Sequence, residues 1–154
     1  PPTIGWFGNE NPFDMEATKL NLSKTAAKYT QSTISYISVV GLKTAIQQLL
    51  DIKVSSIMKH SDKLAKILFS MLEDSDWKSF RPTTSNEFSS HIISLTHPCA
   101  DTVKSTFEQL SKKGLVFGIR NGRLRISISH YNNSTDIKYL GASLLRDLSS
   151  VSKV

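Results

Sequence analysis

The pair Asn121-Gly122 constrains this chain most, because it separates two segments whose side chains alternate in character. Before it, Leu115, Phe117 and Ile119 alternate with Val116, Gly118 and Arg120. After it, Leu124, Ile126 and Ile128 alternate with Arg123, Arg125, Ser127 and Ser129. A period of two marks strands with one buried face. Asn-Gly suits a two-residue type I′ turn, whose central residues both need positive φ. The pattern predicts a β-hairpin over 115–129 in which Ile119 faces Leu124, Phe117 faces Ile126 and Leu115 faces Ile128. A one-residue slip would scramble that apolar set. The other face then carries Arg120, Arg123 and Arg125, with Arg125 opposite Gly118. A guanidinium fork can donate two parallel hydrogen bonds to a carboxylate or phosphate. The same residues equally fit a solvated basic strand face.

A chain of 154 residues is long enough for a compact domain with its own core. Its 39% hydrophobic and 21% charged residues are those of an ordinary globular protein. The one cysteine, Cys99, allows no internal disulfide and fits a reducing compartment, so a cytoplasmic location is expected. No stretch approaches the length of a membrane span, and Pro1-Pro2-Thr3-Ile4-Gly5-Trp6 lacks the zones of a signal peptide. Opening on two prolines without an initiator Met, the chain reads as a fragment or a processed product. The net charge of +6 raises the question of nucleic acid. Basic residues are interspersed with acidic ones, however, and no aromatic–basic stacking surface or finger motif occurs. Neither a nucleic acid nor a membrane is expected as a partner.

Residues 1–37 read as loop-rich, with one short helix near 14–28. Val39, Leu42, Ile46, Leu49 and Leu50 recur at helical spacing, as do Ile57, Leu64, Leu68, Met71 and Leu72 in a longer helix over about 53–74. The polar segment 74–90 holds a short strand and a loop. His91 to His97 reads as a strand closed by Pro98, and Asp101 to Lys113 as a helix with Val103, Phe107 and Leu110 inward and Gly114 as its C-cap. After the hairpin, a last helix starts near Ser134, with Asp136 in its first turn, and carries Ile137, Leu140, Leu144, Leu145 and Leu148 as its apolar residues. The expected fold class is α+β, a two-layer arrangement of a small antiparallel sheet packed with helices.

Sites of catalysis are sparse in the sequence. His60, His91, His97 and His130 show no metal-ligand spacing with Cys99 or with carboxylates and read as structural. Cys99 precedes a helix, where its thiol pKa can fall, but a small buried filler is the simpler role. No Gly-x-Ser-x-Gly elbow, Walker loop or dinucleotide fingerprint occurs. Ser32 and Thr33 offer hydroxyl and backbone donors before a helix, where a phosphate can sit; helix capping is the alternative. Trp6, between Gly5 and Phe7, is either a packing anchor or a donor of its indole N–H to a ligand.

Together these segments resemble the carboxy-terminal part of the class V aminotransferase family. These are fold-type I pyridoxal-phosphate (PLP) enzymes that include cysteine desulfurases and kynureninases. Gly118-Ile119-Arg120-Asn121-Gly122-Arg123-Leu124-Arg125-Ile126-Ser127, followed by His130-Tyr131-Asn132 and Asp136-Ile137, resembles the family's closing signature. Lys28-Tyr29-Thr30-Gln31-Ser32-Thr33 resembles its aromatic-x-x-Gly-Thr stretch, and Gly5-Trp6-Phe7-Gly8 is similar to the Gly-Trp segment of kynureninase-like members.

The resemblance implies the C-terminal domain of a fold-type I PLP enzyme, with residues 1–52 as the tail end of the large PLP-binding domain and 53–154 as the small α+β domain. It implies that Arg125 grips the α-carboxylate of an amino-acid substrate. Thr33 would reach the PLP phosphate of the neighbouring subunit in a homodimer, with Ser32 and Trp6 nearby. Ser32 stands where the family usually has glycine. The family's Schiff-base lysine, the aspartate on the pyridine nitrogen and the stacking histidine lie upstream of such a segment, so this chain alone is expected to be inactive. A desulfurase would need a cysteine shortly before the arginine strand; Cys99 lies too early, which disfavours that activity. The alternative from a different class is a free-standing α+β module that binds a small carboxylate or a partner protein without catalysis.

Overall fold

The computed structural model describes residues 3–14 and 18–146. Chain contacts divide it into two compact units, Pro1–Asp51 and Ile52–Val154. In the first, two glycines let backbone approach backbone. A Cβ on Gly5 would clash with the backbone of Gln31, and one on Gly8 would lie 2.9 Å from the Lys28 carbonyl oxygen. The 3₁₀ turn Trp6–Gly8 therefore packs directly on the segment that follows a second 3₁₀ turn, Ala26–Tyr29. An antiparallel bridge between Asn9 and Leu22 ties the intervening loop. The short helix expected near 14–28 is thus one 3₁₀ turn at its end, capped by Thr25, whose hydroxyl accepts from the Ala27 N–H at 3.3 Å; residues 15–17 of that expectation lie outside the described residues.

Helix α1, Tyr36–Ile52, starts at Ser35, whose carbonyl accepts from Val39 N–H at 3.1 Å. None of its residues is buried, and Ile37, Val40, Leu42 and Leu50 are each more than half exposed. Helical periodicity continues into α2, Val54–Leu72, but the two are broken at Lys53, with φ 72° and ψ 120°. That region is strained for a side chain with a Cβ.

The second unit is α+β, as the pattern implied. Its sheet has four antiparallel strands in the order β1 (Lys78–Ser79), β2 (Ile92–Thr96), β4 (Arg123–Ser127), β3 (Gly118–Arg120). Ile93 pairs with Ile126 and Leu95 with Leu124, so one face is apolar across both central strands. Helices α2, α3 (Ala100–Lys112) and α4 (Ser134–Arg146) supply the rest of a single core: Leu64, Leu68 and Leu72, Val103 and Leu110, Ile137, Leu140 and Leu144. Trp77, 1% exposed, closes one end of it.

Within that core, α4 lies close on α2 because Gly141 has no Cβ, which would meet the Met71 Sδ at 2.8 Å. The start of α4 is held by a reciprocal cap. Asn133 Oδ1 accepts from the N–H groups of Thr135 (2.8 Å) and Asp136 (3.2 Å), and Asp136 Oδ2 accepts from Asn133 N–H at 3.0 Å. Gly114 ends α3 with φ 81°, as its position implied. Two positions depart from their residue type. Leu145, though apolar, is 36% exposed, and the buried face of α3 includes Thr106, fully enclosed with no hydrogen-bond partner for its hydroxyl among the described residues. Leu148 lies outside the described residues.

Leu68 is fully buried where α2 meets the core. Leu68→Ala should cost about 2–5 kcal/mol, as large-to-small core changes do. Denaturant unfolding followed by the fluorescence of the buried Trp77 would measure it, and a loss under about 1 kcal/mol would show a core that closes over the gap.

Candidate functional site

The site begins with the turn. Asn121 has φ 50° and Gly122 φ 69°, the pair of positive values that a type I′ connection needs. It sets the register expected from the alternation: Arg120 faces Arg123, Ile119 faces Leu124 and Gly118 faces Arg125. Two details differ. The first strand is shorter than 115–120, because Leu115 and Phe117 leave the ladder; both still pack on the core, Phe117 edge-on to Phe107 with ring centres 5.4 Å apart. Ile119, at the sheet edge beside the turn, stays 37% exposed.

On the side of the sheet away from the core, the three arginines differ. The Arg123 guanidinium lies over the Phe80 ring, 3.5 Å from its centre. Arg125 is half-buried in the middle of the sheet, flanked by Ser94 on β2 and by Gly118, where a Cβ would meet nothing within 4 Å. The guanidiniums of Arg120 and Arg125 make no ion pair or hydrogen bond with a described residue. Both line an open cavity of about 680 Å³ with Val116, Phe117, Ser127, Tyr131 and Asn132, and no carboxylate among the described residues lines it. Tyr131 presents its ring to solvent at 76% exposure. Asn132 is committed to the turn: its Oδ1 accepts from Ser129 N–H at 2.9 Å, and its carbonyl accepts from His60 Nε2 at 2.8 Å. Phe80 escaped the sequence reading. A signal for it is the alternation Trp77-Lys78-Ser79-Phe80, which puts Phe80 on the face opposite Trp77 and Ser79.

The first unit holds the other predicted residues. Ser32 and Thr33 line a cavity of about 400 Å³ immediately before α1, with Thr30, Phe7 and Tyr36 and with the carboxylate-bearing Glu10, which would oppose an anion there unless its charge is offset by Lys24, 4.0 Å away. Neither hydroxyl is engaged by a described residue, an arrangement that fits a phosphate in front of a helix. Of the two roles open to Trp6, the geometry favours the anchor. Its indole N–H donates to the Pro12 carbonyl, and its ring meets Phe7 at 5.3 Å and Phe13 at 6.2 Å between centres.

Two histidines serve the scaffold. His91 Nδ1 lies 3.0 Å from the buried Ser61 hydroxyl, and His97 Nδ1 accepts from Cys99 N–H at 3.1 Å while its ring packs on Trp77. Cys99 is not the buried filler expected of it. It sits exposed at the N-cap of α3, just after Pro98, with extended backbone that leads into the helix. There the Thr102 hydroxyl, then the backbone N–H groups of Thr102 and Asp101, favour the thiolate and lower the thiol below its ordinary pKa near 9. Since lowering the pKa raises the thiolate fraction at neutral pH, alkylation at pH 7.5 should outpace that of an unstructured cysteine peptide. Thr102→Val should reduce the advantage, and a rate no different from the peptide's would exclude the effect.

No protein-family profile matches the sequence, and no curated protein matches it by sequence. Solved structures do. The cysteine desulfurase CsdA of Escherichia coli superposes with a TM-score of 0.70 at 20% identity over 96% of this chain and 38% of that one. The apo cysteine desulfurase of Thermococcus onnurineus NA1 gives 0.77 at 15% identity over 98% and 40%. A NifS-like protein gives 0.65 at 21% identity over 84% and 38%. The chain therefore spans about two fifths of the length of these structures. The likeness is one of fold, and on that level the resemblance drawn from the closing motifs is borne out: this chain has the fold of the C-terminal part of the cysteine desulfurases.

Proposed function

We propose that this chain is the C-terminal part of a PLP-dependent, class V aminotransferase-like enzyme acting on an amino acid. In this reading 1–52 belongs to the large cofactor-binding domain and 53–154 is the small domain. The observation that carries it is Arg125: half-buried, opposite a glycine, lining a cavity without a carboxylate, on a fold shared with PLP enzymes. The guanidinium binds the substrate α-carboxylate and orients the α-carbon, while Gly118 leaves room for the carboxylate to approach. Thr33 and Ser32 hold the cofactor phosphate of the neighbouring subunit in a homodimer, and Trp6 packs the loop that supports them. Bound PLP would supply the electron sink for carbanion chemistry at the α-carbon. The exposed apolar length of α1 weighs against a free-standing binding module, because such a helix belongs against further protein. Between Lys113 and Gly118, where a desulfurase nucleophile would be needed, there is no cysteine; the chain's one cysteine, Cys99, lies earlier, at the start of α3.

Two experiments bear on this. In the complete enzyme, Arg125→Ala should lower kcat/KM by about ten- to a hundredfold, the loss of a charge-assisted hydrogen-bonded contact. Arg123→Ala, whose guanidinium rests on Phe80, should change it far less; equal effects would reduce the hairpin to plain basic surface. For this chain by itself, PLP followed by borohydride should leave no stoichiometric adduct on any one lysine. Such an adduct would refute the view that the reactive lysine lies elsewhere.

A further inference from the structure

With Arg125 taken as the carboxylate clamp of the proposed function, and only on that reading, Arg120 is left unexplained. It lies on the same sheet face and lines the same cavity, with no carboxylate partner among the described residues. It also faces Arg123 directly across the hairpin, and like charges in that position repel. Arg123 is compensated by the Phe80 ring, whereas Arg120 and Arg125 have no such partner. Three guanidiniums on one short hairpin, two of them unpaired in one cavity, leave a positive field that a single carboxylate neutralises only in part.

We infer that the cavity takes a ligand with two anionic groups, a short dicarboxylate such as a dicarboxylic amino acid, whose second anion is held by Arg120. The spacing suits it. Arg120 and Arg125 are diagonal cross-strand neighbours, a relation that sets their backbones about 7–8 Å apart, within reach of two long side chains converging on one small molecule. Val116 and Phe117 offer apolar surface to the methylene segment, and the other lining residues Ser127 and Tyr131 add no charge. Arg120 is thereby a specificity residue: it does not grip the α-carboxylate but selects the side chain.

The test compares glutarate with butyrate by titration of this chain at fixed ionic strength, with a phosphate monoester acid of similar length as a third arm. Glutarate should bind about tenfold or more tightly than butyrate, the increment of one further charge-assisted contact. Arg120→Gln should cut that preference to about twofold or less, while Arg123→Gln retains it. Tighter binding of the phosphate ester that also depends on Arg120 supports the two-anion site and names phosphate as its second group. An unchanged preference in Arg120→Gln overturns the inference, as does an equal loss in Arg123→Gln, which would mark unspecific charge attraction. Failure of the proposed clamp looks different: butyrate binding that survives Arg125→Gln in the Arg120→Gln background removes the clamp, and absence of binding by every acid removes both. Circular dichroism of each variant checks that the hairpin persists, since none of the three substituted side chains is in the core.

Discussion

Strand β4 has partners on both sides, and its alternation must satisfy both at once. Leu124 and Ile126 point into the core beside Leu95 and Ile93, so Arg123 and Arg125 are forced outward, Arg125 between Ser94 and Gly118. A shift of one residue would bring guanidiniums into the core, where an unpaired charge costs several kcal/mol. That penalty does for the sheet what the Asn121-Gly122 turn does for the hairpin: each independently selects the same register. The basic cavity is the outer consequence of the same choice. Its arginines stand where they do because the leucine and isoleucine between them are buried.

Local chemistry made this part of the molecule readable before its fold was known. Asn-Gly needs no tertiary information to turn, and Gly114 ends α3 for the same reason, through its positive φ. What eluded the sequence depends on neighbours distant along the chain. Phe80 meets Arg123 only because β1 joins β2 and β2 joins β4. Thr106 reads as a polar position but is buried, since α3 turns that face to the core. Cys99 reads as an interior filler by residue type alone, whereas the N-cap position at a helix start decides its exposure and its acidity. Leu115 and Phe117 keep the apolar alternation of a strand without its hydrogen bonds: packing was legible, pairing was not.

In the first unit, the glycine-containing stretch around Trp6 and the hydroxyl-rich stretch around Thr33 are separate motifs along the sequence. The structure joins them through the 3₁₀ turns, with Gly5 and Gly8 against the backbone of residues 28–31. No sequence periodicity announces such a join, because it rests on the absence of two side chains. The same unit shows the limit of pattern in the other direction. The apolar spacing of α1 was visible, yet pattern alone does not say what a helix packs against, and within this chain its residues remain exposed.

The seam between α2 and α4 carries a chemical vulnerability. Met71 fills the space that a side chain at Gly141 would need, with its sulfur 2.8 Å from where that Cβ would be. A flexible thioether adapts well to such a gap while it remains apolar. Oxidation to the sulfoxide would add a polar oxygen and a fixed stereochemistry where α4 lies closest to α2. The helix that begins at the Asn133 cap, just after the cavity-lining Tyr131 and Asn132, would then be pushed from its far side. Damage at one sulfur would thus be felt first at the closest approach of two core helices, and methionine sulfoxide reduction would restore the fit.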